Sequence, residues 1–122
     1  MIHRFGCALA ACLAAGSVMA NDFPTQARVE YVLACMDRHG GQSYDTLYPC
    51  ICAVDKIAAR MTYEQYTHAE TMSVMIRTPG ERGGAFRDAP DARKEVRGLK
   101  GIQKDAEGSC FVGRASGGGA KK

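Results

Sequence analysis

Tyr48-Pro49-Cys50-Ile51-Cys52, YPCIC, sets two cysteines one residue apart directly after a proline. In a regular helix, residues two apart point about 200° away from each other. A bond between Cys50 and Cys52 would need distorted backbone, so each sulfur is better placed to reach a different segment. Proline is tolerated in the first turn of a helix, where the N–H it lacks has no partner anyway. The stretch therefore reads as a helix start tied to two other parts of the chain, and the expected fold is all-α.

Upstream of it, the first 20 residues carry Arg4, a small and apolar run from Phe5 to Ala15, and the small-x-small end Val18-Met19-Ala20. This layout predicts a cleaved secretory signal peptide over residues 1–20, too short and wrongly flanked for a spanning helix. Leu9-Ala10-Ala11-Cys12 also resembles a lipoprotein box, but cleavage there would leave a hydrophobic core of only about seven residues. The favoured product is a soluble periplasmic domain from Asn21 onward. Cys35, Cys50, Cys52 and Cys110 remain in it, and four cysteines in a small exported domain read as two disulfides. Helices joined as a hairpin bring Cys35 level with Cys50, leaving Cys52 for Cys110. The swapped pairing, Cys35 with Cys52 and Cys50 with Cys110, stays open. The same four residues in a reducing compartment would read as metal ligands.

Four helical patterns follow, and no stretch alternates long enough for a strand. The first spans Thr25 to His39, with Thr25 as N-cap, Val29, Val32, Leu33 and Met36 on one face, and Gly40-Gly41 as its stop. The second carries Leu47, Cys50, Ile51, Val54, Ile57 and Ala58 in one stripe and ends near Arg60. Thr62-Tyr63-Glu64-Gln65 forms a capping box for the third, which reaches Arg77. Asp88-Ala89-Pro90 opens the fourth, whose inner face is Val96, Leu99, Ile102, Ala106 and Cys110. These patterns predict a bundle of about four helices linked by two disulfides over residues 21–113, followed by a disordered Gly/Lys tail at 114–122.

Charge narrows the functional classes. Residues 21–113 hold 12 basic against 13 acidic side chains, without the clustered positive excess of a nucleic-acid binder. No CxxC, CxxCH, HExxH, P-loop, GxSxG or EF-hand pattern occurs. Cys50 and Cys52 lack the spacing of a redox dithiol, which leaves a thiol–disulfide redox protein as the weakest reading. No cofactor is expected, nor any membrane span.

Candidate recognition residues lie in two places. On the third helix, Tyr63, Tyr66, Glu70, Val74 and Arg77 form one stripe, with Ala69, Met72 and Ile76 on the opposite, core side. A face rich in Tyr and Arg suits partner binding, the alternative being that Tyr63 and Tyr66 pack inward. The connection at residues 78–90, TPGERGGAFRDAP, is the longest, and long connections are often functional. Glu81, Arg82, Phe86, Arg87 and Asp88 are its candidate partner-binding residues. Glu64 and His68, at i and i+4, with Glu81, Asp88 and Asp91, form an alternative set of ligands for a cation. Arg93, Arg97, Lys100 and Lys104 make a basic ridge on the last helix, read as a solvated face.

HGGQSYDTLYPCICAVDKIA at residues 39–58 and MIRTPGERGGAFRDAP at residues 75–90 resemble small exported helical proteins of proteobacteria with four cysteines. The resemblance spans about residues 28–112. It implies a setting beside quinoprotein (PQQ-dependent) alcohol dehydrogenase systems of methylotroph-like gene sets, and carries no catalytic residues. The expected function is a non-enzymatic periplasmic accessory or binding protein that docks on a partner protein. The alternative is a metal-binding or metal-delivery protein with carboxylate ligands. Oligomeric state is not encoded in any motif.

Overall fold

The computed structural model describes residues 21–114. The expected signal peptide with Cys7 and Cys12, and all of the expected tail beyond Arg114, lie outside the described residues. The described chain is all-helical, with five helices: α1 (Thr25–Arg38), α2 (Tyr44–Ala58), α3 (Tyr63–Arg77), α4 (Glu81–Asp88) and α5 (Pro90–Ser109). α1 packs on α2, α2 and α3 both pack on α5, and α4 bridges α3 and α5. The longest helix is thus the spine of the bundle. None of these helices is long and apolar enough to cross a membrane.

Both disulfides take the favoured pairing. Cys35 bonds Cys50 with Cα atoms 5.9 Å apart, and Cys52 bonds Cys110 with Cα atoms 5.8 Å apart. Cys35 and Cys50 are completely buried, together with Ile57 and Ala53. The first bond therefore sits inside the α1–α2 interface, while Cys52 turns to α5 from the half-buried side of α2. Two bonds in an oxidised domain fit a secreted or periplasmic protein.

Four local expectations are corrected. The connection at residues 78–90 is not a loop, since Glu81–Asp88 forms α4 and makes the helix count five rather than four. Gly83 and Gly84 hide this helix from propensity, because glycine disfavours helix by about 1 kcal/mol. Tertiary packing overrides that cost: Gly83 is buried, and a Cβ built there would lie 1.8 Å from the Thr78 carbonyl oxygen. Pro49 lies not in the first turn of α2 but in its second, because Ser43 and Thr46 cap the helix reciprocally and start it at Tyr44. The local capping box outweighs the preference of proline for a helix start. Thr25 is the first residue of α1 rather than its cap, and Asp88 ends α4 instead of capping α5. Neither Pro24 nor Ala89, which hold the cap positions, offers a side-chain hydrogen bond.

The fourth correction concerns which face of α1 is covered. Val32 and Met36 are buried as expected, yet Val29 and Leu33 are about half exposed. Ala27, Tyr31 and Cys35 are buried in their place, because Cys35 must face α2 and rotates the stripe toward itself. The other stops and starts fall where expected. Gly40 and Gly41 take φ of 109° and 93°, and the Gly41 N–H donates to the Met36 carbonyl at 2.8 Å, closing α1. Thr62 and Gln65 form the expected capping box of α3. Along α5, Val96, Leu99, Ala106 and Cys110 are buried and Ile102 half-buried.

Candidate functional site

The most chemically furnished concavity is a cleft of about 380 Å³ between α1, α3 and the middle of α5. α1 supplies Ala27, Glu30, Tyr31, Ala34 and Arg38, all on the helical i, i+3, i+4, i+7 and i+11 register. α3 supplies Tyr63, Tyr66, Thr67, Glu70 and Thr71 on the same kind of stripe, and α5 adds Gln103. Small residues at Ala27 and Ala34 leave the space that the tyrosines border. Three of the chain's five tyrosines therefore wall one cleft.

The rings are fixed from behind by the segment before α1. Phe23 is buried, lies edge-on to Tyr63 at 5.5 Å between centroids, and meets Tyr66 at 5.2 Å. Asp22 holds that segment in place: both carboxylate oxygens accept the Tyr63 backbone N–H, at 3.1 and 2.9 Å. An orphan donor at the start of α3 is thereby satisfied from another part of the chain. Burial is the main force pushing the Tyr66 phenol up to about 12, with the nearby Glu70 carboxylate adding to it. The Tyr31 phenol is raised further, first by burial and then by Glu107.

At the α5 side Glu107 gathers three partners. Tyr31 donates its hydroxyl to Oε1 at 3.0 Å, Arg38 donates Nη2 to the same oxygen at 2.9 Å, and His39 Nε2 lies 3.3 Å from Oε2. Arg38 also stands 6.0 Å over the Tyr31 ring. Its positive charge is therefore matched by Glu107. Glu30 and Glu70 are different: Glu30 accepts from the Gln26 amide at 2.8 Å and Glu70 from the Gln103 amide at 3.0 Å. Both partners are neutral amides, and neither carboxylate forms an ion pair among the described residues.

Tyr63, Tyr66 and Glu70 are thus brought together as the α3 stripe implied, and the two tyrosines are half-buried rather than on an open surface. Arg77 is exposed at the far end of α3. In α4, Glu81, Arg82 and Asp88 are exposed and Phe86 is half-buried. Arg87 is exposed as well, but its guanidinium folds back to donate to the carbonyls of Ile76, Thr78 and Gly80 at 3.3, 2.8 and 3.1 Å. It closes the α3–α4 corner.

The alternative metal ligands are not assembled. His68 pairs with Glu95 of α5 through Nδ1 at 2.7 Å instead of with Glu64, and Glu81, Asp88 and Asp91 are exposed at helix ends. Among the described residues, one group of three ligand types converges within 4.8 Å: Cys35, His39 and Glu107. Its sulfur is already bonded to Cys50, which removes the thiolate a soft metal needs.

Glu30, Tyr31, Arg38 and Gln103 of the cleft, and Phe23 behind it, are residues that the sequence patterns did not single out. The spacing of Ala27, Glu30, Tyr31, Ala34 and Arg38 is a readable helical stripe, masked by the more apolar stripe beside it. A second, carbon-lined groove of about 310 Å³ runs between α1 and α2, bordered by Val29, Leu33, Met36, Leu47 and Ile51. No family model, curated protein or solved structure matches the chain.

Proposed function

We propose that this chain is a non-enzymatic accessory protein of an exported, oxidising compartment, which docks on a partner protein through the α1–α3–α5 cleft. One observation carries the reading: Tyr31, Tyr63 and Tyr66 share a single cleft with the charged Glu30, Glu70 and Arg38. Tyrosine and arginine are the residues enriched at the energetic centres of protein interfaces, and carboxylates belong to their polar rim. The scaffold supports this use, because two disulfides and Phe23 hold the walls before binding and lower the ordering cost of association. The resemblance of residues 39–58 and 75–90 to exported proteins of methylotroph-like gene sets makes a quinoprotein alcohol-oxidation complex the proposed setting. Exposed Glu81 and Arg82 of α4 are proposed as secondary contacts.

The test is capture of partners from a periplasmic extract by the immobilised oxidised protein, with and without added metal ions. Retention of one partner that is lost in Tyr66→Leu and Glu70→Gln, and kept without metal, is the expected result. A partner held equally by these variants but lost in Arg82→Ala would move the docking surface to α4. Retention only with metal would replace the accessory role by a metal-linked one.

A further inference from the structure

We propose that the cleft is a receptor for an alkylammonium group, either a lysine side chain of the docked partner or a free quaternary amine. The inference rests on the docking reading only for the first of these two sources. Two half-buried tyrosines, Tyr63 and Tyr66, and two carboxylates line one cavity, with Tyr31 behind them under Arg38, and that pairing selects an organic cation. Tyrosine rings attract a positive charge through their quadrupoles while covering the alkyl groups around it. Glu30 and Glu70 bind neutral amides alone, so each has lone pairs left for the N–H donors of a lysine ammonium, while a quaternary amine, which has no N–H, would meet them through charge alone. Arg38 does not repel the guest, because Glu107 takes its charge at 2.9 Å. The cleft therefore presents two carboxylates in excess.

Two alternatives fit less well. A hard metal ion needs several oxygens converging at short range, and the cleft residues form no such group among the described residues. An anion would meet Glu30 and Glu70 and find its one arginine already engaged. A volume of about 380 Å³, bounded by the tyrosine rings, leaves room for a trimethylammonium head.

The chain has no tryptophan, so the emission is tyrosine's alone, and three of its five tyrosines line this cleft while the exposed Tyr44 and Tyr48 give a constant background. The oxidised protein is titrated with choline and with dimethylbutanol, its uncharged isostere. It is then titrated with capped glycyl-lysyl-glycine and with the corresponding norleucine peptide. Each cation should bind about ten-fold or more tightly than its uncharged twin. The Glu30→Gln, Glu70→Gln double variant should erase that preference while keeping the wild-type unfolding midpoint, and Tyr48→Leu, outside the cleft, should keep it. Choline binding above the lysyl peptide assigns the site to a free amine, and the reverse order to a partner's lysine. Equal affinity of charged and uncharged twins, absence of any binding, or a preference that survives the double variant would overturn the proposal. Loss of ammonium selectivity with partner capture intact leaves the docking reading standing. Selectivity with capture unaffected by Glu70→Gln leaves the ammonium site standing and removes the docking role.

Discussion

Replacing Gly83 by alanine tests whether backbone contact, rather than helix propensity, sets the corner between α3 and α4. The added Cβ would stand 1.8 Å from the Thr78 carbonyl oxygen and 2.7 Å from Nη1 of Arg87. Real Cβ contacts essentially never fall under 3.0 Å, so the carbonyl must retreat by about 1.2 Å. Overpacking of this kind costs about 1–3 kcal/mol. The retreat also breaks the bond from Arg87 to Thr78, a net contribution of about 1 kcal/mol. The expected loss is about 2–4 kcal/mol, and it should be local, because Gly83 is the buried residue of α4. Amide exchange in native buffer should show α4 and the last turn of α3 losing protection while α1, α2 and the second half of α5 keep theirs. Gly84→Ala is the control: its Cβ would lie 3.7 Å from the nearest atom, Nη2 of Arg87, so the gain in helix propensity of up to about 1 kcal/mol remains. Equal shifts for the two alanines, or unchanged α4 protection in Gly83→Ala, would mean that the close approach to Thr78 does not set the corner.

Access separates the two disulfides: Cys35 and Cys50 are fully buried and Cys52 is not, so mild reductant should expose Cys52 and Cys110 to thiol trapping first; labelling in the opposite order would contradict the placement of Cys35 and Cys50. Removing the Cys52–Cys110 bond by paired Cys→Ala substitutions releases a 58-residue separation, worth about 4 kcal/mol in the chain-entropy model, and should lower the urea midpoint accordingly. Phe23→Ala should cost about 3 kcal/mol and flatten the near-ultraviolet dichroism of the tyrosines, since it removes the ring that orients Tyr63 and Tyr66. In alkali, the folded state holds the Tyr66 proton more tightly than the unfolded chain, so its contribution is complete below pH 10.0 and disappears as pH rises through about 12. Tyrosinate absorbance and helix content should therefore change together in that window, and a fold that melts well below it would dissociate the two.

Much of the helical frame was legible because its signals are local. The glycine stop at Gly40-Gly41, the Thr62–Gln65 capping box and the inner stripe of α5 each depend on residues within a turn or two. The opposed directions of Cys50 and Cys52 on one helix excluded a bond between them, the hairpin level of Cys35 and Cys50 favoured one of the two remaining pairings, and the structure holds that one. What escaped depends on contacts across the chain. α4 packs on both α3 and α5, with Gly83 leaving room for the Thr78 carbonyl, and no propensity scale carries that information. His68 prefers Glu95 on a helix 27 residues away to Glu64 one turn away. Arg87, one of the expected recognition residues, is occupied by three backbone carbonyls. The cleft itself was half visible: the α3 stripe named Tyr63, Tyr66 and Glu70, but its other wall was hidden by a plausible aliphatic stripe on α1.

The order of the cysteines along the chain also bears on how the protein is made. Cys35 joins the next cysteine, Cys50, and Cys52 joins the next, Cys110. The two loops are adjacent and neither encloses the other. An oxidase that links cysteines in the order they emerge from a translocation pore therefore writes the native pattern directly. The first bond can close once residue 50 has appeared, long before α5 is available. On the proposed exported route, maturation needs a donor of oxidising equivalents and no proofreading isomerase, so Ile51, the lone spacer in YPCIC, marks the point where one covalent loop closes and the next begins.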